Sequence, residues 1–270
     1  MLPRIKTWVK GLLPAGVLVR LRKPSKYGFF GDYRTWAEAR SDSRGYDEDA
    51  ILEKVRAALL KVKRGQAVYE RDSMLFDEVQ YSQPVLDALL SSAAENGGKL
   101  HVVDFGGSLG SSYFQNKGKL GHLKEVRWHI VEQPGFVAAG KKDFEDDSLK
   151  FFPSIEAALQ DMDPQFLLFS SSIQYIDDYR SILEKACRSG FRCIAFDRTP
   201  FWNEPDRMTV QKVSPRIYDA SYPARIFNIA LFKRFFEERG YALASEYDCG
   251  SMSYNGAAGR IALKGLILKR

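Results

Sequence analysis

The residues best suited to chemistry lie between Leu100 and Gly110. Leu100, His101, Val102, Val103, Asp104 and Phe105 read as a buried strand ending in an acid, and Gly106, Gly107, Ser108, Leu109 and Gly110 as a glycine-rich turn. Such a turn after a first strand is a place to hold a nucleotide-type cofactor, because glycine lets backbone approach a ligand without a Cβ clash. A second strand, about 126–132, ends on Glu132, 22 residues beyond Gly110. A carboxylate there can accept hydrogen bonds from both hydroxyls of a ribose. The dinucleotide spacing G-x-G-x-x-G fails: counted from Gly106 the second glycine is Ser108, and counted from Gly107 it is Leu109. The spacing acid-x-G-x-G-x-G fits better, through Asp104, Gly106 and Gly110, with Ser108 in place of the middle glycine. A plain strand-to-helix turn needs the same glycines, so the signal lies in the turn, the ribose acid and the surrounding strands together.

The elements that must position these residues follow an alternating pattern from residue 100 on, the pattern of a parallel sheet. Strands are expected at 100–105, 126–132, 149–152, 166–170 and 191–197. Helices are expected over 134–144, after Ser154, and from Asp177 or Asp178 to Gly190. Residues 223–239 read as a helix with Phe227, Leu231 and Phe235 on one face; 241–247 and 260–268 read as a terminal antiparallel pair. Upstream, 47–63 and 76–94 read as helices, the first capped by Asp47 or Asp49 and the second bent at Pro84. Residues 27–37, rich in Tyr, Phe, Gly and Trp, read as a loop that closes a core edge or forms part of a lid. The chain thus divides into a basic amphipathic arm (1–26), a helical cap or lid region (27–99) and a Rossmann-like α/β domain (100–270) with helices on both faces of the sheet. Ligands in such sheets sit beyond the carboxyl ends of the strands.

Composition narrows the function classes. The chain has 270 residues, 45% hydrophobic, with a formal net charge of +6. Residues 1–26 hold seven Lys or Arg and no acid, which leaves 33 bases against 34 acids in the remainder. A basic groove for nucleic acid is therefore not indicated. The arm's apolar residues, among them Trp8, Leu12 and Leu18, suit an anionic membrane surface, the protein's own body or a protein partner. Lys10 and Arg20 interrupt any spanning run. Cys187, Cys193 and Cys249 are odd in number and lack metal spacing, as expected of reduced thiols in a cytoplasmic protein. His101, His122 and His129 are too few and poorly placed for a zinc site or a Ser-His-Asp triad, and no carboxylate cluster suggests another metal.

The run Asp104-Phe-Gly-Gly-Ser-Leu-Gly-Ser-Ser-Tyr-Phe-Gln115, followed by Val131-Glu-Gln-Pro134, resembles class I S-adenosylmethionine-dependent methyltransferases. More narrowly, it is similar to a little-characterised family of bacterial methyltransferases. That family also carries an upstream segment matched by Phe30, Gly31, Tyr33, Trp36, Glu38 and Ala39, and another matched by Tyr69-Glu-Arg-Asp72. The resemblance covers roughly residues 27–270. It implies a seven-stranded sheet with its last strand antiparallel, and S-adenosylmethionine as cofactor. The cofactor would be held by Asp104, Gly106, Gly107, Ser108, Gly110, Glu132, Gln133, Ser170 and Ser171, with Arg71 meeting its carboxylate. The methyl side would be lined by Ser171, Ser172, Gln174 and Tyr175. Asp197 or Tyr175 would serve as base, and Gln174, Arg198 and Tyr69 would bind the acceptor. Each of these also has a plain structural role open to it at a strand end or in a surface salt-bridge cluster. Members of the family often accompany surface-polysaccharide biosynthesis, which hints at a small-molecule, sugar or glycan-linked acceptor methylated at oxygen. Two other readings remain: a scaffold that keeps the fold without turnover and is recruited to membrane enzymes by its arm, and an NAD oxidoreductase, which Ser108 disfavours. Oligomeric state is not legible.

Overall fold

The computed structural model describes residues 25–44, 48–217, 219–256 and 260–270. All of the basic arm except Ser25 and Lys26 lies outside the described residues, as does the expected cap Asp47. Among the described residues, no helix is long and apolar enough to cross a membrane.

The architecture is α/β, built on ten strands in one sheet. Its parallel centre is β4 (Lys99–Phe105), β5 (Glu125–Val131), β6 (Leu149–Phe152), β7 (Phe166–Ser170) and β8 (Cys193–Trp202). Leu100, Val102, Val103 and Leu167 are fully buried because helices cover both faces of this centre. On one face lie α2 (Glu48–Lys63), α3 (Gln83–Glu95), α4 (Ser111–Leu120) and α5 (Pro134–Asp143), packing Leu59, Leu89, Tyr113 and Phe136 against it. On the other lie α6 (Ile155–Ala158), α7 (Tyr179–Arg188) and α8 (Ile229–Glu237), packing Ala158, Leu183, Phe232 and Phe236. Two further strands, β11 (Ala242–Ser253) and β12 (Arg260–Lys269), pair with each other, and β12 runs antiparallel beside β8.

Three expectations are corrected. The sheet has ten strands, not seven, because β1 (Gly28–Tyr33), β9 (Arg207–Lys212) and β10 (Ser221–Asn228) join it as an antiparallel ribbon. Residues 28–33 are thus strand rather than loop. The helix expected over 223–239 begins only at Ile229, where the Asn228 side chain accepts from the Leu231 N–H at 2.9 Å. Phe227 belongs to β10, and Leu231 is exposed. Third, Pro84 sits in the first turn of α3 instead of bending a longer helix, since a missing N–H costs nothing there. A short helix, α1 (Trp36–Ser41), follows β1.

β8 is shared in an unusual way. β12 pairs along it from Cys193 to Phe201. A strand has two edges, so β7, paired up to Asp197, and β10, paired from Phe201, both occupy the other. The turn Ile173–Tyr175 packs against β10 and β8 at this break. The ribbon then bends round until β1 reaches the end of β11, where Phe29 bridges Tyr254 and its carbonyl accepts from the Asn255 N–H. The ring β8–β10–β9–β1–β11–β12 is thereby closed. It carries its own small core of Phe29, Ala224, Ile226 and Ile261.

Candidate functional site

A cavity of about 870 Å³ opens where β4 to β8 end, between Phe105, Val131, Pro153, Ser170 and Arg198. The glycine turn forms its floor through Gly106, Gly107 and Ser108. Gly106 and Gly110 have φ of 69° and 109°, and Ser108 holds a φ of 56°, a left-handed conformation that glycine adopts without strain. Two of the glycines are required by packing. A Cβ on Gly106 would lie 2.6 Å from the Cβ of Ser172, and one on Gly107 would lie 2.6 Å from Cγ of Asp104. The turn therefore rests directly on the Asp104 carboxyl.

Asp104 is fully buried beneath the turn and does not line the cavity. The indole N–H of Trp128 donates to its Oδ2 at 3.1 Å, and its Oδ1 has no partner. Burial pushes its pKa up to about 7. Gly110 also lies off the cavity wall, starting α4. Glu132 is on the wall, at the end of β5. Its Oε1 accepts from the Ser108 N–H at 3.1 Å and its Oε2 from the Gln133 N–H at 2.8 Å. The carboxylate and the turn are locked together. Gln133 lines the cavity beside it.

At the ends of β7 and β8 the expected residues separate into two groups. Ser170, Ser171, Tyr175 and Arg198 line the cavity; Gln174 and Asp197 do not. Asp197 is 3% exposed. Its Oδ1 accepts from the hydroxyls of Ser82 and Tyr247, each at 3.0 Å, and from the Cys249 thiol at 3.5 Å. Its Oδ2 accepts from Ser170 Oγ at 3.3 Å and from Arg198 Nη1 at 3.0 Å. A carboxylate so fully engaged holds Arg198 in place. Arg198 also donates to Ser170 Oγ at 2.7 Å. The Tyr175 hydroxyl donates to Gln211 Oε1 at 2.8 Å, and burial raises its pKa. Gln174 is buried, donating to Ser171 Oγ at 3.1 Å.

The wall that faces the turn carries the Tyr69–Asp72 segment singled out in the sequence, but in a form the sequence did not announce. It is a hairpin of β2 (Tyr69–Arg71) and β3 (Met74–Phe76). Asp72 and Ser73 form its two-residue turn with φ of 52° and 63°, as a type I′ hairpin requires. Glu70, Arg71 and Asp72 line the cavity. Arg71 donates to Gln80 Oε1 at 3.1 Å and lies over the Phe76 ring. Tyr69 turns the other way and is buried, its hydroxyl accepting from Gln115 Nε2 at 3.2 Å. Glu70, only 1% exposed, accepts from Ser111 Oγ at 2.5 Å and from the Ser73 N–H at 2.6 Å. Burial raises its pKa to about 7. Trp36 and Arg40 of α1 and Tyr222 of β10 complete the wall. Among the described residues no group of three or more His, Cys, Asp or Glu side chains could hold a metal ion.

No protein-family model and no curated protein matches this chain. Among solved structures, the chain is similar to the N-terminal domain of EvdMO1, determined in the presence of S-adenosylhomocysteine and D-fucose, at 13% identity, 84% coverage of this chain and 99% of the other, and a TM-score of 0.48. It is similar to the Burkholderia thailandensis 1,6-didemethyltoxoflavin-N1-methyltransferase at 13% identity, with coverages of 85% and 92% and a TM-score of 0.44. It is also similar to the glycopeptide N-methyltransferase MtfA, determined with S-adenosylmethionine, at 13% identity, with coverages of 67% and 86% and a TM-score of 0.45. At these identities and TM-scores no residue's role carries across.

Proposed function

We propose that this chain is an S-adenosylmethionine-dependent methyltransferase of the class I kind, acting at oxygen on a small molecule or a sugar or glycan precursor. The observation that carries this reading is the Glu132 carboxylate. It stands on the cavity wall at the carboxyl edge of the sheet and is fixed to the glycine turn by the Ser108 N–H. When bound, the cofactor supplies a methyl group on a cationic sulfur. The residues present suit it. Glu132 offers a carboxylate on the wall to ribose hydroxyls, Gly106 and Gly107 leave the floor open, and Gln133 flanks Glu132. Asp104 acts from below by supporting the turn.

Methyl transfer asks the protein mainly to place the acceptor in line. Ser170 and Ser171 border the floor. Arg198, held by Asp197 and Ser170, offers a guanidinium to an anionic or hydroxyl-rich acceptor. Tyr175 shapes the same wall. Asp197 acts as a positioning residue through Arg198. The free thiols Cys187, Cys193 and Cys249 agree with a reducing, cytoplasmic setting. The basic arm would bring the enzyme to an anionic membrane or to a membrane-bound partner.

Calorimetry with S-adenosylhomocysteine tests the cofactor, and NAD serves as the counter-probe. Binding of the first and not the second is expected; the reverse overturns the reading. Glu132→Ala is expected to weaken S-adenosylhomocysteine binding by about 1–3 kcal/mol, the loss of hydrogen bonds to a charged group. Unaltered affinity would remove Glu132 from the site. Transfer of radiolabelled methyl into a cell extract separates an enzyme from a scaffold.

A further inference from the structure

We propose that the seam where the antiparallel ribbon meets the tip of β11 and β12 is a docking face for an anionic lipid surface, working together with the basic arm. The inference rests on the membrane part given above to the arm and is independent of the cofactor reading. The seam is built from strand ends. Lys212, the last residue of β9, pairs with Gly28, the first of β1. Gly28 lies so close to Ser253, the last residue of β11, that a Cβ on it would meet the Ser253 carbonyl oxygen. Ser253 in turn pairs with Arg260, the first residue of β12. Three strand spacings put Lys212 and Arg260 about 15 Å apart. Lys26 stands two residues before Gly28, and Arg216 stands in the loop between β9 and β10. All four bases are exposed. Arg260 is bonded to the neutral Ser251, and Lys212 lies over the Phe30 ring, so these contacts leave both charges in place. The acid of the β9–β10 loop, Asp219, is paired with Arg44 at 3.1 Å.

The chain from the arm enters at this seam. The Ser25 N–H donates to the Gly256 carbonyl at 3.2 Å, and Ser253 Oγ donates to the Tyr27 carbonyl, which pins the entry point. Residues 1–26 carry seven Lys or Arg and no acid, and that run of bases ends at Lys26, on the seam. What accompanies the charge says which partner it fits. The arm interleaves Trp8, Leu12 and Leu18 with its bases, and Tyr27 stands at the seam 41% exposed. Bases mixed with aliphatic and aromatic side chains suit phospholipid: anionic headgroups take the cations, and amphipathic rings settle at headgroup level. The seam also borders the cavity. Ser221, paired with Lys212, is followed by Tyr222 and Pro223 on the cavity wall. The Arg44 N–H donates to Ser221 Oγ, and its neighbour Ser43 is on the same wall. A lipid surface at the seam therefore lies beside the cavity.

Vesicle sedimentation of the full chain tests this, with phosphatidylcholine vesicles set against mixed phosphatidylcholine–phosphatidylglycerol vesicles. The wild-type protein is expected to bind the mixed vesicles and not the neutral ones. The triple variant Lys212→Gln, Arg216→Gln, Arg260→Gln lies wholly outside the arm. It is expected to weaken partition about tenfold or more, since each base near an anionic leaflet is worth roughly fivefold. A matched triple, Lys141→Gln, Lys142→Gln, Lys150→Gln, removes the same charge from α5 and β6, at the opposite edge of the sheet. It is expected to stay within about twofold of wild type. Equal weakening by the two triples would show attraction by net charge alone and overturn the proposal. Unaltered binding of the seam triple would make the arm the whole contact and overturn it as well, leaving the arm's part intact. Failure of the wild-type chain to bind mixed vesicles overturns both, in favour of a protein partner. Thermal melting checks that each triple is folded. Where the seam triple is not, the single variants Lys212→Gln and Arg216→Gln take its place, each expected to weaken partition about fivefold.

Discussion

Replacing Asp197 by alanine is expected to cost about 3–5 kcal/mol of folding stability, the range for removing one partner of a buried ion pair. The reason is what converges on it. Ser82 precedes α3, Ser170 ends β7, Arg198 lies in β8, and Tyr247 and Cys249 lie in β11; all five donate to this one carboxylate. Without it the part-buried Arg198 guanidinium keeps, among the described residues, Ser170 as its hydrogen-bond partner, on a backbone already at a φ of 51°. Asp197→Asn keeps the shape and loses the charge, so its cost is expected to be smaller. Urea denaturation of the two variants gives the comparison. If Asp197→Ala loses less than about 1 kcal/mol, below what breaking a buried pair costs, the positioning account is wrong and a base becomes the better reading.

The second large effect is a fall in stability from pH 5.5 to pH 8. Burial raises Asp104 from an ordinary 3.8 to about 7, and Glu70 from 4.5 to about 7. Each therefore holds a proton in the folded chain at a pH where the unfolded chain has released it. Where the folded state binds more protons, stability falls as pH rises. The contribution is present at pH 5.5 and is lost as pH passes through 7. Its size is on the order of 2 kcal/mol per group over this interval. Asp104→Asn and Glu70→Gln should each flatten the slope by that group's share. Denaturation midpoints at the two pH values decide it. A wild-type protein more stable at pH 8, with both variants showing the same slope, would contradict the assignment.

The parts of this protein that were legible in its sequence depend on neighbours in the chain. Leu149–Phe152 and Phe166–Ser170 are short apolar runs between polar or proline-containing segments, and they fall where expected. Glu132 was legible because both its partner turn and its strand end are local patterns. The hairpin Tyr69–Phe76 was not, because its turn is built on Asp72 and Ser73 with positive φ, without the Asn-Gly or Asp-Gly pair that announces such turns. β10 was hidden by an accident of spacing: Phe227, Leu231 and Phe235 sit four apart, yet the first is strand and Leu231 points to solvent. Glu70 acquires its meaning only from Ser111, 41 residues away, and no periodicity records such a contact. Asp197 was noticed as a strand-end acid, but its five donors come from four separate stretches of chain, so the carboxylate that looked available is in fact committed.

The closed ring of strands has a consequence for how this chain can change over evolutionary time. Tyr175 and Trp202 pack on the ring's small core, with Tyr254 and Leu263. Glu132, the turn and Asp104 belong instead to the parallel centre. The two sides meet at the cavity, where Ser172 packs on Gly106, so substitutions away from that contact and without shared partners are expected to add independently. There the wall around Tyr175 can drift while the floor stays as it is. The bridge at Phe29 also shortens the open edge of β1 along which a foreign strand could align.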